Sequence, residues 1–276
     1  MRKIFLFAAI CSAFIACSKS SEEEPVAKES VTFKLSNFTS TTEPLSVARK
    51  ASSLIDGDDG ALTDLYLFDG ATQLTHQTSD QADFGTITVM LTTGSHNLHF
   101  VATRSTGLSY SDGILACSSL RNTFGKTIVF NVSGSSEENV TLDRLSGKLI
   151  LTINDAIPTG ANSLRIQLGQ RYTSLNVQTL FGVNAAAYDQ SVSLSSKVGQ
   201  TGHQITLHIL GPDADGYETT YTLTATNSSN QVIGQATGTL TLAPNTKTLL
   251  SGNLFTGTRS FVSLNTAWNA DINESF

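Results

Sequence analysis

Apolar and polar residues alternate along most of this chain, as they do in β-strands with one buried face. Val31, Phe33 and Leu35, for example, are separated by Thr32 and Lys34. The same period returns at residues 87–91, 96–101, 127–132, 140–142, 147–153, 164–168, 192–194, 205–209, 221–225, 240–242 and 261–268. Gly, Asn, Asp and Pro break these runs at short intervals, which is typical of antiparallel sandwiches. The pattern therefore predicts an all-β fold.

Residues 111–124 depart from this alternation. Their apolar residues, between Ile114 and Phe124, are closer to helical spacing, and Asp112 could cap a helix start. We expect a short helix or a long loop here. Cys117 lies inside it, and we expect a half-buried small hydrophobe, because no His or Asp pattern nearby indicates an activated thiolate.

The length of the chain indicates more than one small domain, since single domains are most often about 100–150 residues long. We place the boundary near Leu145 and Ser146, between one alternating run that ends at Arg144 and the next that begins at Gly147. The predicted organisation is a signal peptide at 1–16, a tether at 17–29, a β-sandwich domain at 30–145 and a second one at 146–276.

The first residues of the chain have the form of an export signal. Arg2 and Lys3 precede an apolar run at 4–16, which is well short of the roughly 20 residues needed to span a bilayer. Ala16-Cys17 at its end resembles a bacterial lipobox, in which a small residue precedes a lipidated cysteine. Cys11 is a poorer candidate because Ile10 is not small. We expect Cys17 to carry acyl chains that anchor the protein; ordinary secretion or a buried structural cysteine are the alternatives.

An acidic, polar stretch follows, from Ser18 to Pro25. Because it offers nothing for a core, we interpret it as a tether. An acidic run behind a lipidated cysteine is similar to the surface-export signal of Bacteroidales lipoproteins, which implies a lipid-anchored protein exposed on the cell outer membrane. A solvated linker of no further meaning would have the same composition.

The amino-acid composition argues against some classes of function and against a disulfide framework. Without residues 1–16 the chain has 23 acidic residues against 15 basic ones, a formal charge of −8, so nucleic acid is not an expected partner. Only Cys17 and Cys117 remain after processing, and if the first carries lipid the second has no disulfide partner. Stability must then come from burial.

Several short motifs follow one another in a characteristic order along the chain. The strand Asp64-Leu65-Tyr66-Leu67-Phe68-Asp69 comes first, followed by a hairpin at residues 89–103 and a junction at residues 140–149. Two closing strands lie at residues 250–255 and 261–268. These motifs, in this order, resemble Bacteroidales fimbrillin-type proteins, including their fimbrial anchor subunits; residues 140–149 resemble the junction that opens the second domain of these proteins.

This resemblance implies a pair of transthyretin-like, Greek-key β-sandwich domains that serve as anchor, stalk or tip subunits of a type V pilus. Subunits of this family join by strand complementation, in which a neighbour's strand fills a groove and supplies its main-chain hydrogen bonds. In stalk subunits a protease opens that groove by cutting after an arginine. Residues 31–38 would be the removable strand and Arg49 the cut site, unless Arg49-Lys50 is simply a solvated loop pair.

The end of the chain favours an anchor or terminal subunit over a propagating one. Val262, Leu264 and Trp268 would lie on one face of a core strand, and the eight residues 269–276 carry few apolar groups for filling a neighbour's groove. We therefore expect the strand at 31–38 to stay in place and the lipid to remain on Cys17. Other fimbrial subunits, and a host or bacterial surface ligand, are the expected partners.

No catalytic motif is found, so we do not expect an enzyme, a cofactor or a metal. His96 and His99 face opposite ways on a strand, and so do His203 and His208. The acidic loops at 56–60 and 213–218 are interpreted as turns rather than calcium sites.

Two other functions stay open. A glycan-binding lipoprotein of a polysaccharide uptake system would need an exposed aromatic row, for which Tyr172, Tyr188 and Tyr217 are the candidates. A hydrolase would need two convergent carboxylates.

Overall fold

The computed structural model of the chain describes residues 27–37, 55–56, 60–256 and 261–267. In these ranges every regular element is a β-strand, apart from one 3₁₀ turn at Ser195–Lys197. The all-β prediction is confirmed, and the predicted alternating runs fall on strands. The same ranges contain no helix that is long and apolar enough to cross a membrane.

Eleven strands are described before residue 145. They are β1 (Lys28–Asn37), β2 (Ile55–Asp56), β3 (Gly60–Ala61), β4 (Asp64–Asp69), β5 (Thr72–Thr78), β6 (Thr86–Thr92), β7 (Gly94–Thr103), β8 (Ser109–Ser111), β9 (Ile114–Ala116), β10 (Thr123–Val132) and β11 (Ser136–Arg144). Eight follow: β12 (Ser146–Ile153), β13 (Ala161–Asn176), β14 (Gly182–Ser193), β15 (His203–Leu210), β16 (Tyr217–Asn227), β17 (Val232–Leu242), β18 (Thr246–Gly252) and β19 (Phe261–Ala267).

The first half of the chain forms a folded sheet with the order β5-β4-β7-β10-β11-β1-β6. The path turns at β10 and β11, which pair only at Phe124↔Arg144 and Gly125↔Asp143. Side chains from both arms, among them Phe33 and Phe100, meet in one buried cluster. The first half is therefore a two-layer sandwich.

The second half repeats this layered arrangement. One sheet has the order β15-β12-β18-β19, and the other contains β17-β16-β13, with β14 also paired to β13. Leu149, Leu151 and Ile153 of β12 face the shared core, whereas Ile150 points the other way and is only half-buried, as alternation predicted. In both halves the first strand pairs in parallel with a late one, β1 with β11 and β12 with β18.

The helix considered for residues 111–124 is not formed. Those residues begin with a hairpin of β8 and β9, whose turn residues Asp112 and Gly113 both have positive φ, at 50° and 79°. A type I′ hairpin turn requires positive φ at both of its central residues, so Asp112 is a turn residue and not a helix cap. Cys117 follows the hairpin and is half-buried, as predicted.

The same hairpin joins the two halves. Leu115 of β9 lies opposite Leu175 of β13, so the hairpin extends a sheet of the second half. Both residues also belong to a buried cluster with Tyr66 and Phe68 of β4. β11 ends at Arg144 and β12 begins at Ser146, where the boundary was predicted, but the division into two domains stays a prediction because of this shared sheet.

Candidate strand-exchange site

The first strand, β1, lies in the interior of its sheet rather than at an edge. It runs parallel to β11, from Val31↔Ser136 to Asn37↔Leu142, and antiparallel to β6, from Lys28↔Thr92 to Lys34↔Thr86. Removal of β1 would therefore expose unpaired main-chain groups on two neighbouring strands. Such groups form a template for another strand.

The inward face of β1 fills the first-half core. Val31 and Phe33 are fully buried, and Leu35 packs against the same cluster. The Phe33 ring lies edge-on to Phe100 and Phe130, with centroid distances of 5.2 and 5.4 Å. Burial of each large apolar side chain contributes about 1.5–3 kcal/mol, so these residues fix the register of the strand.

The outward face of β1 makes only surface contacts. The Thr32 and Thr88 hydroxyls are 2.9 Å apart, and the Lys34 ammonium donates to Glu137 at 2.5 Å. Exposed pairs of this kind contribute about 0–1 kcal/mol each. A foreign strand would therefore need main-chain hydrogen bonds and inward apolar groups, but not these side chains.

β1 lies between parts of the chain that are outside the described residues. Cys17 and Arg49, the residues predicted for lipidation and cutting, belong to those parts, and the structure does not test either prediction. The strand predicted at 31–38 is observed at Lys28–Asn37. Alternation found this strand, but it gave no signal for the parallel pairing with β11, more than 100 residues away in sequence.

The last described strand, β19, differs from its prediction. It pairs antiparallel with β18 of its own half, as expected, but Val262 and Leu264 are exposed rather than buried in a core. Phe261, on the other face, packs against the second-half core. The face of β19 that carries Val262 and Leu264 therefore points away from the core. Trp268 lies outside the described residues.

The predicted orientation of the four histidines holds, since each pair is an odd number of positions apart on one strand. His96 lies 2.6 Å from Asp69 through Nδ1, and its Nε2 donates to the Thr92 carbonyl at 2.8 Å. The hydrogen bond to Asp69, opposed by desolvation, raises the pKa of His96. His99 instead contacts Thr127 at 2.9 Å, and burial lowers its pKa. His96 therefore connects β4 with the end of β6, and His99 contacts β10.

The other candidate groups also have structural roles. Asp213 accepts hydrogen bonds from the backbone N–H groups of Asp215 and Gly216, which makes the loop a turn. Burial raises the pKa of the Cys117 thiol, the opposite of activation. Within the described ranges no three His, Cys, Asp or Glu residues come together as a metal site.

The three tyrosines considered for glycan binding lie near one another without forming an exposed row. Tyr217 is buried and meets Tyr172 edge-on, at a centroid distance of 5.0 Å. Tyr188 is half-buried beneath Arg171, whose guanidinium carbon is 5.0 Å from the ring centroid. These rings pack against the second-half core, so they do not offer the flat aromatic platform that a sugar ring would need.

Several solved structures are similar to this chain in fold. A candidate adhesin from Bacteroides ovatus matches with a TM-score of 0.53 at 7% identity, over 83% of this chain and 88% of that one. The fimbrial anchor protein Mfa2 from Porphyromonas gingivalis matches with a TM-score of 0.51 at 11% identity, over 88% and 98%. No protein-family model and no curated protein matches the sequence.

The fold is that of the Bacteroidales adhesin and fimbrial proteins. The resemblance to fimbrillin-type proteins that was predicted from short sequence motifs is thereby confirmed at the level of the fold. At these identities the likeness covers architecture alone. These neighbours are named as adhesion or fimbrial proteins and not as enzymes.

Proposed function

We propose that this protein is a lipid-anchored protein of the outer-membrane surface that acts as an anchor or terminal subunit of a pilus, or as an adhesin. It assembles with other fimbrial subunits by β-strand complementation, and the position of β1 is where a groove would open if that strand were removed. The supporting observation is the placement of β1, an interior strand with two fully buried side chains and a connection to β2 only through residues 38–54. We also propose the two domains 30–145 and 146–276.

The order of residues along the chain connects lipid and strand. Cys17 precedes β1, and Arg49 follows it. A cut at Arg49 would leave the lipid covalently attached to β1 but not to the rest of the protein. An anchor therefore keeps Arg49 intact, and β1 stays in place with the lipid attached to the same chain. A propagating subunit would instead be cut.

Substitution of single cysteines tests whether Cys17 carries the lipid. Cys17→Ser should release the protein from washed outer membranes, whereas Cys117→Ser, the matched control, should leave its membrane association unchanged. Mass spectrometry of the native protein then reports the acyl chains and the first residue. Equal retention of both variants would refute the lipid anchor, and a native N-terminus at Lys50 would refute the anchor role.

Assembly is tested by deletion of residues 269–276. The anchor assignment predicts that the shortened protein still joins fibre subunits, because the segment is not a donor strand. A shortened protein that folds but no longer enters fibres would show that the segment is donated to a neighbour. The anchor assignment would then fail.

A further inference from the structure

β19 forms an outer edge of its sheet, and among the described strands only β18 pairs with it. The pairing runs from Gly252↔Phe261 to Thr246↔Ala267 without a register shift. A strand in this position presents one row of main-chain N–H and C=O groups that its own sheet does not use. Such a row is a template for another strand.

β19 also lacks the features that normally prevent two sheet edges from pairing. Native edge strands are blunted by charged residues, by Pro or by β-bulges. The sequence of β19, FVSLNTA, contains no charged residue and no Pro. The ladders that hold the outer strands β5, β14 and β17 each contain a register shift, whereas the ladder of β19 does not. The edge of β19 is therefore suited to pairing.

The other uncharged outer strand of comparable exposure, β6, is partly blocked by side chains of its own chain. The main-chain carbonyl of Thr86 accepts a hydrogen bond from the Gln77 amide at 2.9 Å, and that of Thr92 accepts one from His96 at 2.8 Å. Main-chain groups at both ends of β6 are thus already used. Within the described ranges, no side chain bonds to the main chain of β19 in this way.

The outward face of β19 continues an apolar row that crosses three strands. Leu264 lies opposite Leu249 of β18, and Leu249 lies opposite Ile150 of β12. Their sequence neighbours Leu149 and Leu250 face the core, so the three side chains of the row point outward. Ile150 and Leu249 are half-buried, whereas Leu264 is 58% exposed. The most exposed member of the row is therefore the last one, at the position that an added strand would cover.

We propose that β19 of a second copy of this chain pairs with this edge in antiparallel orientation, with Leu264 at the two-fold axis. In this register Leu264 lies opposite its own copy, and Val262 lies opposite Thr266 of the second copy. The strand is self-complementary, because no like charges meet and the apolar row runs unbroken from Ile150 of one copy to Ile150 of the other. The proposal does not depend on the function proposed above.

Sedimentation of the purified protein tests the dimer. A contact of one short strand from each copy is smaller than a standard interface, so we expect a reversible monomer–dimer equilibrium over about a hundredfold range of concentration. Leu264→Lys places two ammonium groups opposite each other and should raise the dissociation constant at least about tenfold. Met90→Lys on β6 is the matched control, because Met90 is also 58% exposed, and it should leave the equilibrium unchanged.

Disulfide formation tests the register. Leu264→Cys places two Cβ atoms about 4.5–5.5 Å apart across the axis, whereas Val262→Cys places them four residues apart along the strands, about 13 Å. With the native cysteines replaced by Ser, the first variant should cross-link under mild oxidation and the second should not. A protein that stays monomeric at every concentration, an unchanged equilibrium in Leu264→Lys, or equal cross-linking of both cysteine variants would overturn the proposal. Circular dichroism checks that each variant is folded.

Discussion

β1 and β12 occupy equivalent places in the two halves, but the chain secures them differently. Each lies between a parallel and an antiparallel partner, β11 and β6 for β1, and β18 and β15 for β12. β12 follows β11 after one residue and is connected to β13 by residues 154–160. β1 is connected to β2 by the longer segment 38–54. The proposed exchange of β1 therefore rests on its longer connection, and not on its place in the sheet.

Burial sharpens this difference. Ser146, Gly147, Lys148 and Leu149 of β12 are all buried, so both faces of that strand are covered. A Cβ added to Gly147 would lie 2.1 Å from the carbonyl oxygen of Ala243, which shows how closely the backbones approach. β1 is covered on one face only. A replacement strand must match its inward residues but can vary elsewhere.

Substitutions on the inward faces of β1 and β12 are expected to have the largest effect on the free energy of unfolding. Phe33→Ala in β1 should lower the free energy of unfolding by about 3–5 kcal/mol, and Leu151→Ala in β12 by about 2–5 kcal/mol, through lost burial and a cavity. Lys34→Gln on the exposed face of β1 is the control and should cost no more than about 1 kcal/mol. Denaturant unfolding measures all three. A loss below 1 kcal/mol for Phe33→Ala would mean that β1 is not part of the core.

Substitution of Asp155 in the second half is expected to have an intermediate effect on the free energy of unfolding. The Asp155 carboxylate accepts hydrogen bonds from the backbone N–H groups of Leu254, Phe255 and Thr256, which lie between β18 and β19. Asp155→Asn should lower the free energy of unfolding by about 1–2 kcal/mol. An unchanged free energy of unfolding at neutral pH would show that these hydrogen bonds do not stabilise the connection between β18 and β19.

Asp155 also predicts a pH dependence. Burial acts to raise its pKa, but the three backbone hydrogen bonds and a fourth from the Thr256 hydroxyl outweigh burial and lower it. The stabilisation is therefore complete above the unfolded value, about 3.9, and is lost as the pH falls through the lower folded value. Asp155→Asn should remove this dependence in acid unfolding curves. A parallel curve for the variant would contradict the assignment.

The smallest effect is expected at the turn beside the start of β1. His96 donates to Thr92, and Thr92 lies opposite Lys28. Because the pKa of His96 is raised, its contribution is complete below the unfolded value, about 6.5, and is lost as the pH rises through the folded value. His96→Gln should lower stability by about 0.5–1 kcal/mol at pH 5.5 and by less at pH 9, as thermal unfolding at both values would show. An equal loss of stability at pH 5.5 and pH 9 would exclude the charge of His96 as the cause.

Local pattern predicted the strands well but not their partners. Alternation at residues 31–35 follows directly from a strand with one buried face. The parallel neighbour of that strand is β11, and no local signal encodes a contact over such a separation. The exposure of Val262 and Leu264 has the same origin, since alternation shows which residues share a face but not which face meets the core.

Short segments and charge clusters escaped prediction for other reasons. Asp112 and Gly113 are as compatible with a hairpin turn as with a helix start, and the three-residue strands beside them are too short to show a period. The basic residues Arg121, Arg144 and Lys148 come from separate elements and act together on His208, which only the folded chain reveals. The opposite holds for Cys17, whose lipidation is predicted from the sequence alone.

Strand exchange at β1 tests the central claim most directly. A protease site is placed within residues 38–54, and the cut protein is mixed with an excess of a labelled peptide of residues 27–37. The account predicts that the peptide replaces β1, that a peptide with Phe33→Ala binds far less, and that the uncut protein exchanges slowly because its own strand is present at an effective concentration in the millimolar range. A protein cut within residues 154–160 and mixed with a peptide of residues 146–153 should show no exchange. Failure of the first protein to take up its peptide, or equal uptake by both, would contradict the account.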